Sequence, residues 1–381
     1  MTRIYLDHAA TTPARPEVVA AMLPLLGGYN PSSLHAEGRA ARAALDDARA
    51  IVATVLGAAP REIVFTGGGS EADVLAIAGA ARALAQRGRH IVTTAIEHHA
   101  VLHATDALER AGWRVTRLPV DARGLVDPAA FAAALTPETT LASVMLANNE
   151  IGVIQPVATL AALARAHGAV FHTDAVQAAG WLPLRVDELG VDLLSLSAHK
   201  FHGPKGVGVL YVRSGTALEP LIVGGSQEHA MRAGTENVAG IAGFASALAL
   251  AEAERAEAAP RVEALRDRLQ AGILAAIPDV VVNGEGAPRL PGMLSLAFGG
   301  ATSDALLMRL DLAGIAASAG SACAAGSLEP SHVAAALGLD DAHRFGVLRL
   351  SLGRATTAAE VDAVLQCLPA LIAGVRTPVS V

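Results

Sequence analysis

The sequence predicts an α/β protein in which helices cover a large, mainly parallel sheet, with a smaller α+β domain towards the carboxyl end. Two observations predict this fold. Apolar runs of strand length alternate with alanine-rich stretches of helix length over most of the chain. The apolar runs show no clean alternation of apolar and polar residues, which is typical of strands buried on both faces of a parallel sheet.

The predicted strands and helices of the sheet follow one another between residues 62 and 212. "EIVFTG" precedes the helical stretch "SEADVLAIAGAARALAQRG", and "HIVTTAIEHH" follows that helix. The remaining strand-like runs are "TLASVMLANNE", "AVFHTDA", "VDLLSLSA" and "GVGVLYV". This order of strand, helix and strand favours a parallel arrangement.

The pattern changes after Pro260. Before it, the apolar stretch from Val238 to Ala251 is too short and too rich in alanine to span a membrane, so it predicts a buried helix. After it, "RVEALRDRLQAGILAAI" predicts a charged helix, shorter strands follow, and a last helix begins near Ala358. We therefore expect a large domain over residues 15–259 and a small domain formed by residues 1–14 and 260–381.

Composition argues against several classes of partner. The chain carries 29 Lys and Arg against 36 Asp and Glu, a net charge of −7, and it has no basic run. Direct binding to nucleic acid or to a membrane is therefore not expected. The start "MTRIYLDHAATTP" has no apolar signal core, and the only cysteines, Cys323 and Cys367, are too few for a disulfide framework. Without a signal core or disulfide framework, we expect a cytoplasmic protein. His99 and His103 have helical spacing but no third ligand nearby, so we expect no metal site.

The stretch "SLSAHKFHGPKGVGVLY" holds the only two lysines of the chain, Lys200 and Lys205. A neutral lysine amine forms a Schiff base with an aldehyde, whereas arginine stays protonated and does not. Lys200 is the better candidate because it follows the end of a predicted strand. Lys205 lies between Pro204 and Gly206, in a predicted turn.

Polar side chains follow four of the predicted strands at the point where each strand ends. In open α/β sheets, ligands bind beyond the carboxyl ends of the strands. We therefore expect these side chains to share one site. They are Glu97 and His98, Asn148 to Glu150, His172 and Asp174, and Ser197, His199 and Lys200.

If the aldehyde is pyridoxal phosphate, three further groups are needed. The pyridine nitrogen needs an acid partner, and Asp174 suits that role. The phosphate needs amides and hydroxyls, and "TGGGSE", which contains Gly69 and Ser70, opens a helix and offers both. The ring needs a group stacked on its face, and His98 is the candidate.

A set of motifs runs along nearly the whole chain. It includes "YLDHAATTP", "NPSSLH", "IEHHAVL", "ANNEIGVIQP", "FHTDAVQ", "SAHKFHGPKGVGVLYV", "RAGTENVAGI", "GSACAAG", "PSHV" and "LRLSLGRATTAAE". Together these motifs resemble the cysteine desulfurases, pyridoxal-phosphate enzymes of fold type I in the class V aminotransferase group. The resemblance implies a fold-type I transferase whose large domain contains a seven-stranded, mainly parallel sheet.

The resemblance implies a role for each matching residue. Lys200 would hold the cofactor, and Cys323 would take the sulfur of L-cysteine as a persulfide and leave L-alanine. Arg354 would bind the substrate carboxylate with help from Asn30. Thr235 would reach the phosphate of the neighbouring subunit, which implies a homodimer. The other expected contacts are Asp174 at the ring nitrogen, His98 as a catalytic and stacking residue, Asn149 and Gln177 at the ring hydroxyl, and Gly69, Ser70, Ser197 and His199 at the phosphate.

Two segments depart from the pattern of these enzymes. "SGATESNN" is replaced by "GGGSEADV", so that Ser70 keeps a hydroxyl where threonine is usual, while Gly69, Ala72 and Asp73 change its surroundings. "GGGQERGLRSGTEN" is replaced by "GGSQEHAMRAGTEN", which changes the expected subunit contact. His202 stands where tyrosine is frequent. None of these changes removes a residue that the chemistry requires.

Cys323 lies in "ASAGSACAAGS", which has no bulky side chain and predicts a mobile loop able to carry sulfur to an acceptor protein. Cys367 falls on the apolar face of the last helix, where we expect a small buried side chain. The pathway of the acceptor stays open among iron–sulfur cluster assembly, tRNA thiolation, cofactor synthesis and DNA sulfur modification.

Other functions also fit this scaffold. An aminotransferase would need neither Cys323 nor its loop, and a selenocysteine lyase would depend on that cysteine less. A non-catalytic assembly subunit is a third alternative, against which the retention of Lys200, Asp174, Arg354 and Cys323 argues. Such a subunit would be colourless when purified, because it would not bind pyridoxal phosphate.

Overall fold

The computed structural model describes residues 3–320 and 331–376. Its strands are β1 Ile4–Tyr5, β2 Ile63–Thr66, β3 His90–Thr94, β4 Arg114–Leu118, β5 Thr139–Ser143, β6 Val170–Asp174, β7 Leu193–Ser197, β8 Gly208–Val212, β9 Val280–Val282, β10 Met293–Phe298, β11 Ile315–Ala316 and β12 Val347–Ser351. Its helices are α1 Pro16–Met22, α2 Ala36–Leu56, α3 Gly69–Val74, α4 Ala80–Leu84, α5 His99–Arg110, α6 Pro128–Ala134, α7 Val157–Ala166, α8 Val186–Leu189, α9 Val238–Ala276, α10 Ser303–Leu312, α11 His332–Ala336 and α12 Ala358–Ala373.

The central sheet has seven strands in the order β2-β8-β7-β6-β5-β3-β4. All neighbouring pairs are parallel except those of β8, which runs antiparallel to both β2 and β7. Every residue of β2, β3, β5, β7 and β8 is buried, which explains why these strands show no polar alternation. The predicted fold class is therefore confirmed. The carboxyl ends of β2, β3, β5, β6 and β7 all lie at one edge of the sheet.

A second, antiparallel sheet has the order β12-β10-β9. The start of the chain lies beside it, because β1 pairs with β11 in parallel and Asp7 forms a bridge with Ser351. This arrangement brings the first residues of the chain onto the region that follows Pro260. In residues 3–320 and 331–376, no helix is both long and apolar enough to cross a membrane.

Helix α9 runs for 39 residues and passes straight through Pro260. The sequence predicted two separate helices there, because proline usually ends or bends a helix. The apolar residues of its first half, such as Phe244 and Leu248, pack in the core of the large sheet. Those of its second half, such as Leu269 and Ile273, pack in the core of the small sheet. The division into domains at 259/260 stays a prediction, and its boundary lies inside this helix.

Candidate active site

A cavity of about 250 Å³ lies at the edge of the central sheet where the parallel strands end. Six of the strand-end polar groups expected to share a site line it, namely His98, Asn149, Asp174, Ser197, His199 and Lys200. The other four, Glu97, Asn148, Glu150 and His172, are buried and do not line the cavity. The predicted residues that line the cavity are Gly69, Ser70, His98, Asn149, Asp174, Gln177, Ser197, His199 and Lys200.

Lys200 is carried into the cavity by a short turn that follows β7. Its ammonium nitrogen donates hydrogen bonds to the backbone carbonyl oxygens of Ala9, at 2.6 Å, and Ala10, at 2.9 Å. The side-chain amide of Gln177 also donates to the Ala9 carbonyl, at 2.9 Å. The motif "YLDHAATTP" therefore forms part of the cavity wall through its backbone, a role that its side chains did not indicate.

Gly69 begins α3 directly above the ends of β6 and β7. A Cβ atom at this position would lie 2.9 Å from Cγ2 of Val176 and 3.2 Å from Cβ of Ser197. A Cβ atom at this position would push the Val176 and Ser197 side chains aside, so glycine lets the helix start close to the sheet. The close approach places Ser70 at the cavity wall together with Ser197.

Asp174 ends β6, and its side chain is buried at the floor of the cavity, where it is 6% exposed. One carboxylate oxygen accepts a hydrogen bond of 2.9 Å from the backbone N–H of Val176. Burial raises the pKa of Asp174, while the neighbouring His98 and Lys200 act in the opposite direction. A cation placed at this carboxylate would offset the cost of its burial.

The two histidines of the cavity, His98 and His199, both have lowered pKa values. His98 caps α5 by accepting a hydrogen bond of 3.1 Å from the backbone N–H of Ala100, and burial lowers its pKa. Nδ1 of His199 lies 3.1 Å from the hydroxyl of Thr11. Burial, followed by the charge of Lys200, lowers the pKa of His199 to about 4. A phosphate bound beside His199 would act in the opposite direction, because a nearby anion favours the protonated ring.

Arg349 lines the same cavity, and the sequence analysis did not select it. Its side chain lies on β12, is 1% exposed, and donates to the carbonyl of Asn149 at 2.8 Å and to Asp7 at 3.0 Å. Its Nε atom has no hydrogen-bond partner in the described part of the chain. The available signal was the alternation in "LRLS", which turns Arg349 to the face opposite to Leu348 and Leu350.

Three predicted site residues lie outside the cavity. Arg354 lines a neighbouring space of about 20 Å³ that Lys200 also borders. Its guanidinium is engaged, because it donates to Glu254 at 2.9 Å and to the backbone carbonyls of Gly180 and Ala251. Asn30 is exposed and accepts from the N–H of Ser32, and Thr235 lines a different cavity beside Glu236. Their roles in binding substrate or phosphate stay predictions.

The two cysteines differ in what the structure describes. Cys323 and most of its predicted mobile loop lie outside the described residues. Cys367 is half-buried on α12 and packs against the core of the small sheet, as expected for a structural cysteine. Burial raises the pKa of its thiol, which keeps it in the unreactive protonated form.

The residues of the cavity fit pyridoxal phosphate. The donor set contains an acid for the ring nitrogen, an amine for the aldehyde, amides for the ring hydroxyl, and serine hydroxyls for the phosphate. A further buried acid, Asp73, lies in the wall of this cavity, and its Oδ1 has no hydrogen-bond partner among the described residues. Such an atom is expected where a bound group completes the site.

Comparisons with known proteins agree with this fit. Residues 4–364 match the family model described as Aminotransferase class-V. The chain is 48% identical over 376 residues to "Cysteine desulfurase IscS" of Dictyoglomus turgidum, which covers 98% of this chain and 95% of that protein. A NifS-like protein of known structure superposes with a TM-score of 0.92 at 36% identity, covering 98% of this chain and all of that one. The structure titled "SspA in complex with cysteine" superposes with a TM-score of 0.82 at 35% identity, covering 93% and 100% of the two chains.

Each match covers nearly the full length of both chains compared. The sequence identity of 48% is far above the level at which only a fold is shared. The cavity supplies the residues that the cofactor of this group requires. The chain therefore belongs to the class V aminotransferase family and, within it, to the pyridoxal-phosphate-dependent cysteine desulfurases.

Proposed function

We propose that this chain removes sulfur from L-cysteine, releases L-alanine and leaves the sulfur as a persulfide on Cys323. The observation that carries the proposal is the convergence of Lys200, Asp174 and Arg349 on one cavity. The step balances in atoms and electrons. The Cys323 thiolate forms a bond to the substrate sulfur, the carbon–sulfur bond breaks, and its electron pair stays on carbon, where a proton completes the methyl group of alanine.

The side chains of the cavity divide the work of this reaction. Pyridoxal phosphate, when bound, withdraws electrons from the substrate α-carbon. Lys200 would take the proton from that carbon, because its amine is the basic group held at the cavity wall. Asp174 would keep a proton on the ring nitrogen, and His98 would pack on the face of the ring. Burial of Asp174 in a water-poor cavity strengthens its attraction for a cation.

Two arginines are candidates for the substrate carboxylate. Arg349 has the stronger support, because it faces the cavity and its Nε lacks a partner in the described residues. Arg354, the residue predicted from the sequence, lies beyond Lys200 and is paired with Glu254. A guanidinium binds a carboxylate best through two parallel hydrogen bonds, which needs two free N–H groups on one edge.

A homodimer with shared sites is supported by exposed apolar side chains ahead of α2 and α9. Exposed large apolar side chains are often covered by a partner protein. The most exposed in these two segments are Leu23, Leu26, Tyr29, Leu34 and Val223. Thr235 follows the second segment and lies outside its own cofactor cavity, as a residue that serves a second copy would. Sedimentation of wild type and of Val223→Glu tests the dimer, which the added charge should weaken.

The central experiment follows sulfur and alanine together. Wild type incubated with cysteine should release alanine and gain the mass of sulfur on the peptide that contains Cys323. Cys323→Ala should bind pyridoxal phosphate normally but release little alanine, while the matched control Cys367→Ala should behave like wild type. Equal alanine release by wild type and Cys323→Ala, without added sulfur, would show that Cys323 does not take the substrate sulfur. Production of a keto acid would indicate an aminotransferase.

In this family the sulfur passes on to an acceptor protein. Cys323 would deliver the persulfide to that acceptor, and the pathway of the acceptor stays open among the four named above. Capture of proteins that bind the sulfur-loaded enzyme from its own cell, with Cys323→Ala as the control, would identify the acceptor.

A further inference from the structure

Asp73 is a second buried acid in the wall of the cofactor cavity. It lies on α3, and its side chain is 1% exposed. One ligand atom each of Asp73, His98 and Asp174 lies within 4.8 Å of the other two. Two carboxyl groups therefore face the position expected for the ring nitrogen, where the reaction requires only one.

No cation balances Asp73 in the described residues. The nearest imidazole nitrogen, Nε2 of His172, lies 3.7 Å from Oδ1 of Asp73. His172 is not charged, because complete burial lowers its pKa to about 3. Its two ring nitrogens are engaged by hydroxyls, Nδ1 by Ser143 at 2.8 Å and Nε2 by Ser195 at 3.0 Å. Oδ1 of Asp73 is thus a buried oxygen without a hydrogen-bond partner in the described chain.

Ionisable groups on several neighbouring elements affect the pKa of Asp73 or face the same cavity. The pKa of Asp73 lies well above its usual range, first because the carboxyl is buried and second because Asp174 adds a negative charge, with a smaller effect of the same sign from Glu97. A hydrogen bond with Ser195 acts in the opposite direction. The other ionisable groups that face the cavity are His98 on α5, His199 and Lys200 after β7, and Arg349 on β12.

We propose that Asp73 and Asp174 form a two-carboxyl site that holds one proton in the cofactor-free protein and gives that proton to the ring nitrogen when the cofactor binds. Two buried carboxylates this close do not both ionise without a cation between them. The ring nitrogen supplies the cation. One proton leaves a carboxyl oxygen and one N–H bond forms, so the net charge of the site does not change.

The proposal rests on the assignment of Asp174 to the ring nitrogen under the proposed function. It adds a role for Asp73, a positioning residue that sets where the proton resides. Asparagine stands at this position in the pattern of related enzymes, so Asp73→Asn keeps the shape of the side chain and replaces the ionisable carboxyl with an amide that cannot store the proton. The surface change Asp304→Asn is the matched control, because Asp304 is exposed on α10.

The test measures protons rather than turnover. The cofactor-free protein is titrated by calorimetry with 4′-deoxypyridoxine 5′-phosphate, which lacks the aldehyde and so forms no bond to Lys200. Comparing two buffers of different ionisation enthalpy at pH 8 gives the protons taken from solvent per ligand bound. Asp73→Asn should take up more protons than wild type, by up to one per site, because its cavity no longer stores the proton. Asp304→Asn should match wild type.

A second readout uses the stability of the cofactor-free protein. A buried acid with a raised pKa destabilises the folded state progressively as pH rises from the unfolded pKa towards the folded one. The unfolding midpoint of Asp73→Asn should therefore exceed that of wild type by a margin that grows between pH 5 and pH 8. A margin independent of pH, or equal proton uptake by wild type and Asp73→Asn, would overturn the proposal.

Asp174→Asn separates this proposal from the function on which it rests. That variant should bind the deoxy ligand at least tenfold more weakly than wild type. Unchanged affinity would remove Asp174 from the ring nitrogen and would count against the proposed function. A proton difference in Asp73→Asn alone, with normal weakening in Asp174→Asn, would support both.

Discussion

The ammonium nitrogen of Lys200 lies 2.6 Å from the carbonyl oxygen of Ala9, and the same nitrogen reaches the carbonyl of Ala10. The two carbonyls hold the amine at the boundary between the cofactor cavity and the narrower space lined by Arg354. Lys205, the other lysine, is exposed and lines neither of these spaces. The two lysines that lie close together in the sequence therefore occupy different environments in the fold.

We expect Lys200→Arg to abolish turnover and leave the fold intact. Arginine keeps the positive charge but forms no covalent bond with the cofactor and does not act as a base near neutral pH. The matched control Lys205→Arg should retain activity. Borohydride reduction of wild type followed by peptide mapping should place the cofactor on Lys200, and its recovery on Lys205 would refute the assignment.

Arg349→Lys should weaken cysteine binding more than Arg354→Lys does. Lysine keeps the charge but loses a charge-assisted hydrogen bond, which costs about 1.5–3 kcal/mol and corresponds to a KM roughly 10- to 150-fold higher. Cofactor absorbance should be retained in both variants. The reverse order, with a raised KM only in Arg354→Lys, would favour the role that the sequence alone predicted for Arg354.

Stability should fall on the acid side as buried histidines are forced to take up protons. Burial lowers the pKa of His90 to about 4 and that of His172 to about 3, against an unfolded value near 6.5. Groups with lowered pKa contribute fully above pH 6.5 and lose that contribution as pH falls towards the folded value. Each group can change the free energy of unfolding by about 1.4 kcal/mol per pH unit in that window.

Denaturant unfolding between pH 4 and pH 7 measures how steeply the free energy of unfolding depends on pH. His90→Gln should make that dependence less steep, because glutamine takes up no proton in this pH range. Glutamine can still bond to the hydroxyls of Thr139 and Thr116 that His90 contacts, which preserves the fold. The exposed change His167→Gln serves as the control. Equal slopes in wild type and His90→Gln would show that His90 does not set the acid limit.

Ala230→Gly should stabilise the protein. Glu228, His229 and Ala230 all have positive φ, and Ala230 has a φ of 60° on an exposed turn. The left-handed conformation costs an alanine roughly 1–2 kcal/mol, so glycine should recover up to about 1 kcal/mol after its own loss of chain entropy. The same change in a helix, Ala43→Gly, should cost about 1 kcal/mol. Thermal unfolding should show a raised midpoint for Ala230→Gly and a lowered midpoint for Ala43→Gly. A lowered midpoint for Ala230→Gly would show that Ala230 is not strained.

The sequence located most of the cavity because a parallel sheet has a simple geometry. Residues at the ends of β3, β5, β6 and β7 had to meet at one edge, so His98, Asn149, Asp174 and Lys200 could be grouped without coordinates. The motif resemblance added their chemical roles. The grouping by strand ends used only the segments between β3 and β7.

Distant segments are where the prediction was incomplete. The carbonyls of Ala9 and Ala10 and the guanidinium of Arg349 enter the cavity from the far ends of the chain, and no local pattern reports such a return. Arg354 was chosen from the same motif, but it follows the end of β12 and lines the neighbouring space, whereas Arg349 on β12 lines the cofactor cavity. Asp73 was noticed only as a departure, because burial and a missing partner are visible only in three dimensions.

Helix α9 joins the core of the large sheet to the core of the small sheet. With 39 residues at 1.5 Å each it is a rod of about 58 Å, and its two halves are anchored in different cores. Pro260 donates no hydrogen bond, so the bond to the carbonyl of Ala256 is missing where the rod passes from one core to the other. If the small sheet rotated towards the cofactor, the helix would bend mainly at Pro260. Ala251 and Glu254 bind Arg354 and lie in the half of the helix that packs on the large sheet, so they would stay with that sheet. Pro260→Ala would stiffen the rod and should slow any such closure without altering a residue of the cavity.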